Sequence, residues 1–147
     1  MLNINQKSPS SATLSKRFEK SVSLVCYGYN EELCIGDFFE RALYLLKENI
    51  EDYEIVFVND GSTDRTAEIA ERYAQKNSRI RIIHNKQNRN IGYSFKRALK
   101  HAEKEFVFWQ TIDWSYDLSK IRIFLELLNH FDVVFGARPV PIGLFSE

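Results

Sequence analysis

The sequence predicts an α/β fold in three layers: a mostly parallel sheet with helices packed on its faces. Three observations predict it. Short runs of apolar, β-branched and aromatic residues recur at 21–27, 53–58, 80–83 and 106–109, long enough for buried strands and too short for helices. Stretches with apolar residues at helical spacing separate them, and such alternation builds parallel strands joined by right-handed crossovers. Polar residues gather at the carboxyl end of each run, where open α/β sheets hold their ligands. With strand one central and beside strand two, the expected order is 3-2-1-4.

Residues 1–19 are polar, Ser-rich and aperiodic around Pro9, which reads as a disordered leader to a domain over 20–147. Strand one, 21–27, ends in the turn Gly28-Tyr29-Asn30-Glu31-Glu32, with Asn30 the expected N-cap and both glutamates near a helix N-terminus. That helix runs to residue 49, with Leu33, Phe38, Ala42, Leu45 and Leu46 as its apolar stripe. Strand two, 53–58, feeds Asn59-Asp60-Gly61-Ser62, turn chemistry in which Gly61 can take a positive φ. Ser62 or Thr63 then caps a second helix over 64–75, with Asp64 well placed near its start. Strand three, 80–83, ends in a polar loop from His84 to Asn90. Ile91 and Gly92 open a third helix with Phe95, Ala98, Leu99 and Ala102 on one side. Strand four, 106–109, leads through an irregular segment, 110–117, to a fourth helix over 118–128. Residues 132–135 read as a fifth strand, and Gly136-Ala137-Arg138-Pro139-Val140-Pro141 breaks regular structure.

At 147 residues, 44% of them hydrophobic, the chain is one domain with a real core. Net charge is zero, so bulk charge points to neither nucleic acid nor membrane. The charges are segregated, however. Residues 31–71 hold twelve acids against three bases, and 72–104 hold ten bases against one acid. These are either two solvated helix faces of opposite sign or a basic wall near an anionic ligand or membrane. Cys26 and Cys34 form neither a disulfide framework nor a zinc signature, which fits a reduced, cytoplasmic setting. No stretch has a signal peptide's apolar core or a transmembrane helix's length.

The strand ends carry Tyr29-Asn30-Glu31, Asn59-Asp60, the loop 85–90, Thr111-Ile112-Asp113 and Arg138, which together make one crevice. The Gly-x-Gly-x-x-Gly fingerprint and the P-loop are both absent, disfavouring nicotinamide oxidoreduction and P-loop phosphoryl transfer. Four segments in order, Val25-Cys26-Tyr27-Gly28-Tyr29-Asn30-Glu31-Glu32, Val58-Asn59-Asp60-Gly61-Ser62-Thr63-Asp64-Arg65-Thr66, Asn90-Ile91-Gly92 and Thr111-Ile112-Asp113, resemble the motifs of family 2 glycosyltransferases. The Tyr-Asn-Glu-Glu opening is similar to the polyprenyl-phosphate, dolichyl-phosphate mannose synthase-like branch.

That resemblance spans 21–138 and implies a Rossmann-like GT-A fold, a nucleotide-diphosphate sugar donor, Mg²⁺ or Mn²⁺ bound with the nucleotide, and inversion at the anomeric carbon. It implies that Tyr29 and Glu31 hold the donor's base and ribose, that Asp60 binds the base and that Asp113 ligands the metal. Asn59, Thr111 and Arg89 complete the expected donor site, Arg89 or Lys86 facing phosphate. Three positions depart from the family pattern: Tyr27 replaces a proline, Asn59 the first acid of Asp-Asp-Gly-Ser, and Thr111 the first acid of Asp-x-Asp. Asp117 could compensate for the lost charge.

The resemblance ends at Gly136-Ala137-Arg138, so the chain reads as a fragment, a truncated product or a donor-binding module of a longer enzyme. The acceptor it implies is a lipid phosphate, with membrane association through a missing C-terminal part. The expected location is the cytoplasm or the membrane's cytoplasmic face, with no nucleic-acid partner. Two other readings stay open. One is an inactive nucleotide-binding or interaction module. The other is a nucleotidyltransferase, which would show a Gly-rich basic loop where Gly28-Tyr29-Asn30-Glu31-Glu32 stands. No catalytic base is identified.

Overall fold

A computed structural model describes residues 16–136. The Val22–Gly28 strand (β1) and the Tyr53–Asn59 strand (β2) run parallel in full register, Val22 opposite Tyr53 and Gly28 opposite Asn59. Ile80–His84 (β3) lies outside β2, and Phe106–Trp109 (β4) lies on the other side of β1. The order is β3-β2-β1-β4 with every pair parallel, as the alternation predicts. The helices are Ile35–Asn49 (α1), Thr66–Lys76 (α2), Asn90–His101 (α3) and Ile121–Leu127 (α4).

Strand alternation divides the core between two faces. Leu24, Cys26, Ile55 and Phe57 point to one, where Phe38, Phe39, Ala42 and Leu46 of α1 and Ala70 of α2 cover them. Val25, Val56, Val58 and Ile83 point to the other, covered by Ala98 and Phe95 of α3. The chain thus reverses direction across β1, after β3, and opens a crevice at the carboxyl end of β1 and its neighbours. On the α3 face the amino ends of β1 and β2 carry Ser23 and Glu54. Buried Glu54 accepts from Ser23 Oγ at 2.6 Å and Glu103 N at 2.7 Å and pairs with Arg81 at 3.4 Å. A buried carboxylate requires that set of partners, and it pins the α3–β4 connection beneath the sheet.

Several expectations are corrected. Residues 132–135 form no strand: Val133 and Phe135 are exposed, and no strand lies beside them among the described residues. A strand exists by pairing, so apolar alternation alone does not make one. Leu33 is 89% exposed because α1 starts only at Ile35, and Ile35 and Phe39 fill the stripe instead. On α3, Ser94 is buried while Leu99 is exposed. Phe18, within the expected leader, is buried and bridges to Ile50, with its N–H on Asn49 O at 2.8 Å. The rest of the leader, to residue 15, and Arg138 lie outside the described residues.

Candidate donor-binding site

The crevice is built from loops locked to each other. Asp60 N donates to Gly28 O at 2.9 Å, carrying the β1–β2 ladder one step past the strands. Asn30 then adopts φ 58°, its Oδ1 accepting Thr63 N at 2.8 Å and its own N–H reaching Ser62 Oγ at 3.0 Å. Glu31 N donates to Thr66 Oγ1 at 2.7 Å and Glu32 N to Asp64 Oδ2 at 3.1 Å, while Glu32 Oε2 accepts Arg65 N at 3.0 Å. Asn30, Ser62 and Thr63, expected as helix caps, therefore tie one loop to the other. The N-cap positions fall to Cys34 and Arg65, neither with a side-chain cap bond. Parallel neighbours lie about 5 Å apart, so the adjacent loop offers these side chains N–H groups as readily as their own helix does.

Two glycines make the lock possible. A Cβ on Gly28 would stand 3.0 Å from Glu31 Cγ and 3.3 Å from Ile112 Cγ1. Gly61 has φ +74°, and a Cβ there would fall 2.4 Å from the Gln87 carbonyl carbon, so the loop after β3 lies directly on the β2 turn.

Asp60 sits beneath that contact. It is buried, not an open turn residue, and its Oδ1 accepts from Asn85 Nδ2 at 2.5 Å and Arg89 N at 2.9 Å. Asn85 is itself fixed by Ser94 Oγ at 2.7 Å and by Arg97, whose guanidinium also bonds His84 O at 2.7 Å. Every hydrogen bond reaching the Asp60 side chain among the described residues ends on Oδ1, leaving Oδ2 as an immobilised acceptor. Asn85 belongs to the strand-end loop expected in the crevice, whereas Ser94 and Arg97, which fix it, were not among the expected site residues. The available signal was Ser94 standing four before Ala98 on the covered side of α3.

Across the crevice, the Ser115 hydroxyl and the Thr111 side chain hold the Asp113 carboxyl below its usual range. Ser115 N donates to Thr111 Oγ1 and to Asp113 Oδ1, both at 3.1 Å. Glu31 is the counterpart. Burial pushes its carboxyl up, and the Asp113 and Asp64 charges push it further. The structure brings Glu31 and the 111–113 segment together around Gly28.

The other expected residues are placed differently. Tyr29 is exposed beside Gly28. Asn59 is buried with both amide ends used, Oδ1 accepting Ser62 N at 3.2 Å and Nδ2 facing His84 Nδ1 at 3.0 Å. His84 Nε2 in turn meets Glu71 at 2.8 Å. Arg89 contributes its backbone N–H to Asp60, while its guanidinium lies over the Tyr93 ring at 4.8 Å. Asp117 accepts from Ser119 N and Oγ, at 2.8 and 2.9 Å, and is absorbed in the turn into α4. Trp114 packs on Phe38 under Arg41. Among the described residues no three His, Cys, Asp or Glu side chains converge. These residues therefore form no all-protein cage, and a cation at Asp113 would need most of its ligands from a substrate phosphate.

The sequence model of glycosyl transferase family 2 matches residues 23–145, and this chain belongs to that family. A dolichyl-phosphate β-glucosyltransferase of Dictyostelium discoideum is 33% identical over 129 residues, 80% of this chain and 39% of that protein. A second, ALG5D of Trichomonas vaginalis, is 32% identical over 103 residues, 67% of this chain and 32% of that protein. Among solved structures, the mannosyltransferase PcManGT of Pyrobaculum calidifontis, in complex with GDP-Man and Mn²⁺, superposes with a TM-score of 0.63 at 22% identity, over 78% of this chain and 33% of that one. S. aureus TarS 1–349, in complex with UDP-GlcNAc, superposes with a TM-score of 0.55 at 31% identity, over 63% of this chain and 26% of that one. The fold is the GT-A glycosyltransferase fold. The chain spans between 20% and 41% of the length of eight curated relatives it matches.

Proposed function

We propose that this chain is the donor-binding part of an inverting glycosyltransferase that takes a nucleotide-diphosphate sugar in the crevice and delivers the sugar to a polyprenyl phosphate. One observation carries the donor reading. Asp60 has one carboxylate oxygen fixed by Asn85 and Arg89 N and the other left as an acceptor, which is what a nucleobase edge requires. UDP-GlcNAc in TarS and the dolichyl-phosphate transferases among the relatives support donor and acceptor class respectively. A phosphate acceptor is already ionised at neutral pH, so no residue has to take its proton. Asp113, with Thr111 beside it, would hold Mg²⁺ or Mn²⁺ together with the nucleotide, and the cation would neutralise the diphosphate. We place the reaction at the cytoplasmic face of a membrane.

A second reading, an inactive nucleotide-binding module, is favoured by Asn59, whose amide is spent within the protein, and by Thr111. Calorimetry with UDP, GDP and their sugars, with and without Mn²⁺, tests the donor reading. The expected result is binding of one base type, tightened by Mn²⁺, with Mn²⁺ affinity rising further in Thr111→Asp. A folded chain that binds no nucleotide overturns it. Binding without sugar transfer to a polyprenyl phosphate, even when the remainder of a longer chain is supplied, selects the second reading.

A further inference from the structure

The outward side of α3 is cationic. Its sequence, Asn-Ile-Gly-Tyr-Ser-Phe-Lys-Arg-Ala-Leu-Lys-His, contains no acid. Several cations elsewhere are paired, Arg65 and Arg72 with Glu68, Arg81 with Glu54 and Glu103, Lys104 with Asp52. Lys96 and Lys100, one turn apart and both exposed, form no ion pair among the described residues.

Beside this cationic stripe runs an apolar one. Ile91 and Leu99, 64% and 41% exposed, flank the side on which Phe95 meets Trp109, ring centroids 5.4 Å apart. Trp109 stands on β4, packed by Phe95 of α3, Tyr27 and Tyr116, and is still 37% exposed. Unpaired lysines next to exposed aliphatic residues and a tryptophan are the composition of a helix lying in a membrane interface. Nucleic acid would engage the lysines and leave Ile91 and Leu99 in water. An anionic bilayer engages both stripes at once.

We propose that the α3 face docks the protein on an anionic lipid surface, with Lys96 and Lys100 at the headgroups and Ile91, Leu99 and Trp109 at the acyl boundary. This places the crevice beside a membrane without any transmembrane segment, and among the described residues no helix is long and apolar enough to cross one. It is independent of nucleotide binding, because neither lysine belongs to the crevice.

Flotation of the 147-residue chain with phosphatidylcholine vesicles, with and without phosphatidylglycerol, tests it. The expected result is binding to the anionic vesicles only, reversed by salt and weakened about fivefold by each of Lys96→Gln and Lys100→Gln. Leu99→Ser should weaken it as well. In a Trp114→Phe background, which leaves Trp109 as the sole tryptophan, emission should shift to the blue on adding those vesicles. Nucleotide calorimetry of the lysine variants should match the parent. Equal binding to neutral vesicles, absence of binding, an unshifted Trp109, tighter binding to single-stranded RNA than to anionic vesicles, or a dimer that Leu99→Ser dissolves would each overturn it.

Discussion

Asp60 and Glu31 show how single residues acquire their roles. Asp60 is buried, and its Oδ1 accepts from Arg89 N and from Asn85 Nδ2, which also donates to Ser94 Oγ. Asp60→Ala takes the acceptor from Arg89 N and one of two acceptors from Asn85 Nδ2, and should cost about 1–3 kcal/mol of stability in urea unfolding, besides abolishing nucleotide binding. Asn85→Ala should weaken nucleotide binding as well, although Asn85 is not expected to touch the ligand, since it frees Asp60 to turn. Wild-type affinity in Asn85→Ala would show that the Asp60 orientation is unimportant.

Glu31 titrates above the usual glutamate range, through burial first and the Asp113 charge second. The folded protein therefore holds this proton to higher pH than the unfolded chain. The resulting stabilisation is fully present below the unfolded midpoint and is lost as pH rises from there through the folded one. Carboxyl NMR should find that raised midpoint. Asp113→Asn should bring it part of the way back, because the larger cause, burial, remains. An unmoved midpoint would separate Glu31 from Asp113.

At the scale of elements, the loops after β1, β2 and β3 behave as one unit fastened at Gly61. Its φ of +74° and the Gln87 backbone against it leave no room for a methyl group. Gly61→Ala should cost at least about 1–2 kcal/mol from the left-handed conformation alone. It should also speed hydrogen exchange in residues 85–89 more than in β1. Exchange unchanged in that loop would mean the contact is not a fastening.

The same loops show what sequence could and could not reveal. The strand ends were legible because apolar runs stop where polar turn residues begin, and Gly61 was legible as a positive-φ site. The partners of Asn30, Ser62 and Asp60 were not, because each lies 25 to 33 residues away in sequence. Local capping rules see only neighbours along the chain. For the same reason the start of α1 was placed too early and Leu33 was assigned to the core.

For the whole molecule, the order β3-β2-β1-β4 followed from strand alternation and from the gathering of polar residues at one edge. What failed was the far side of the sheet. β4 reads as a buried strand, yet Val107 and Trp109 on it are exposed, and residues 132–135 do not extend it. Apolar composition reports that a segment can be buried, not whether a neighbour exists to bury it.

A 380 Å³ groove lies elsewhere, between α1 and α2, lined by Gly36, Glu40, Arg72 and Tyr73, among others. It contains neither Asp60 nor Asp113. ¹⁵N NMR titration with UDP and GDP in the presence of Mg²⁺ distinguishes the two places. Amide shifts confined to residues 28–31, 59–61, 85–89 and 111–113, and lost in Asp60→Asn, are expected. Shifts centred on the α1–α2 groove, or surviving Asp60→Asn undiminished, would contradict the assignment of the crevice as the nucleotide site.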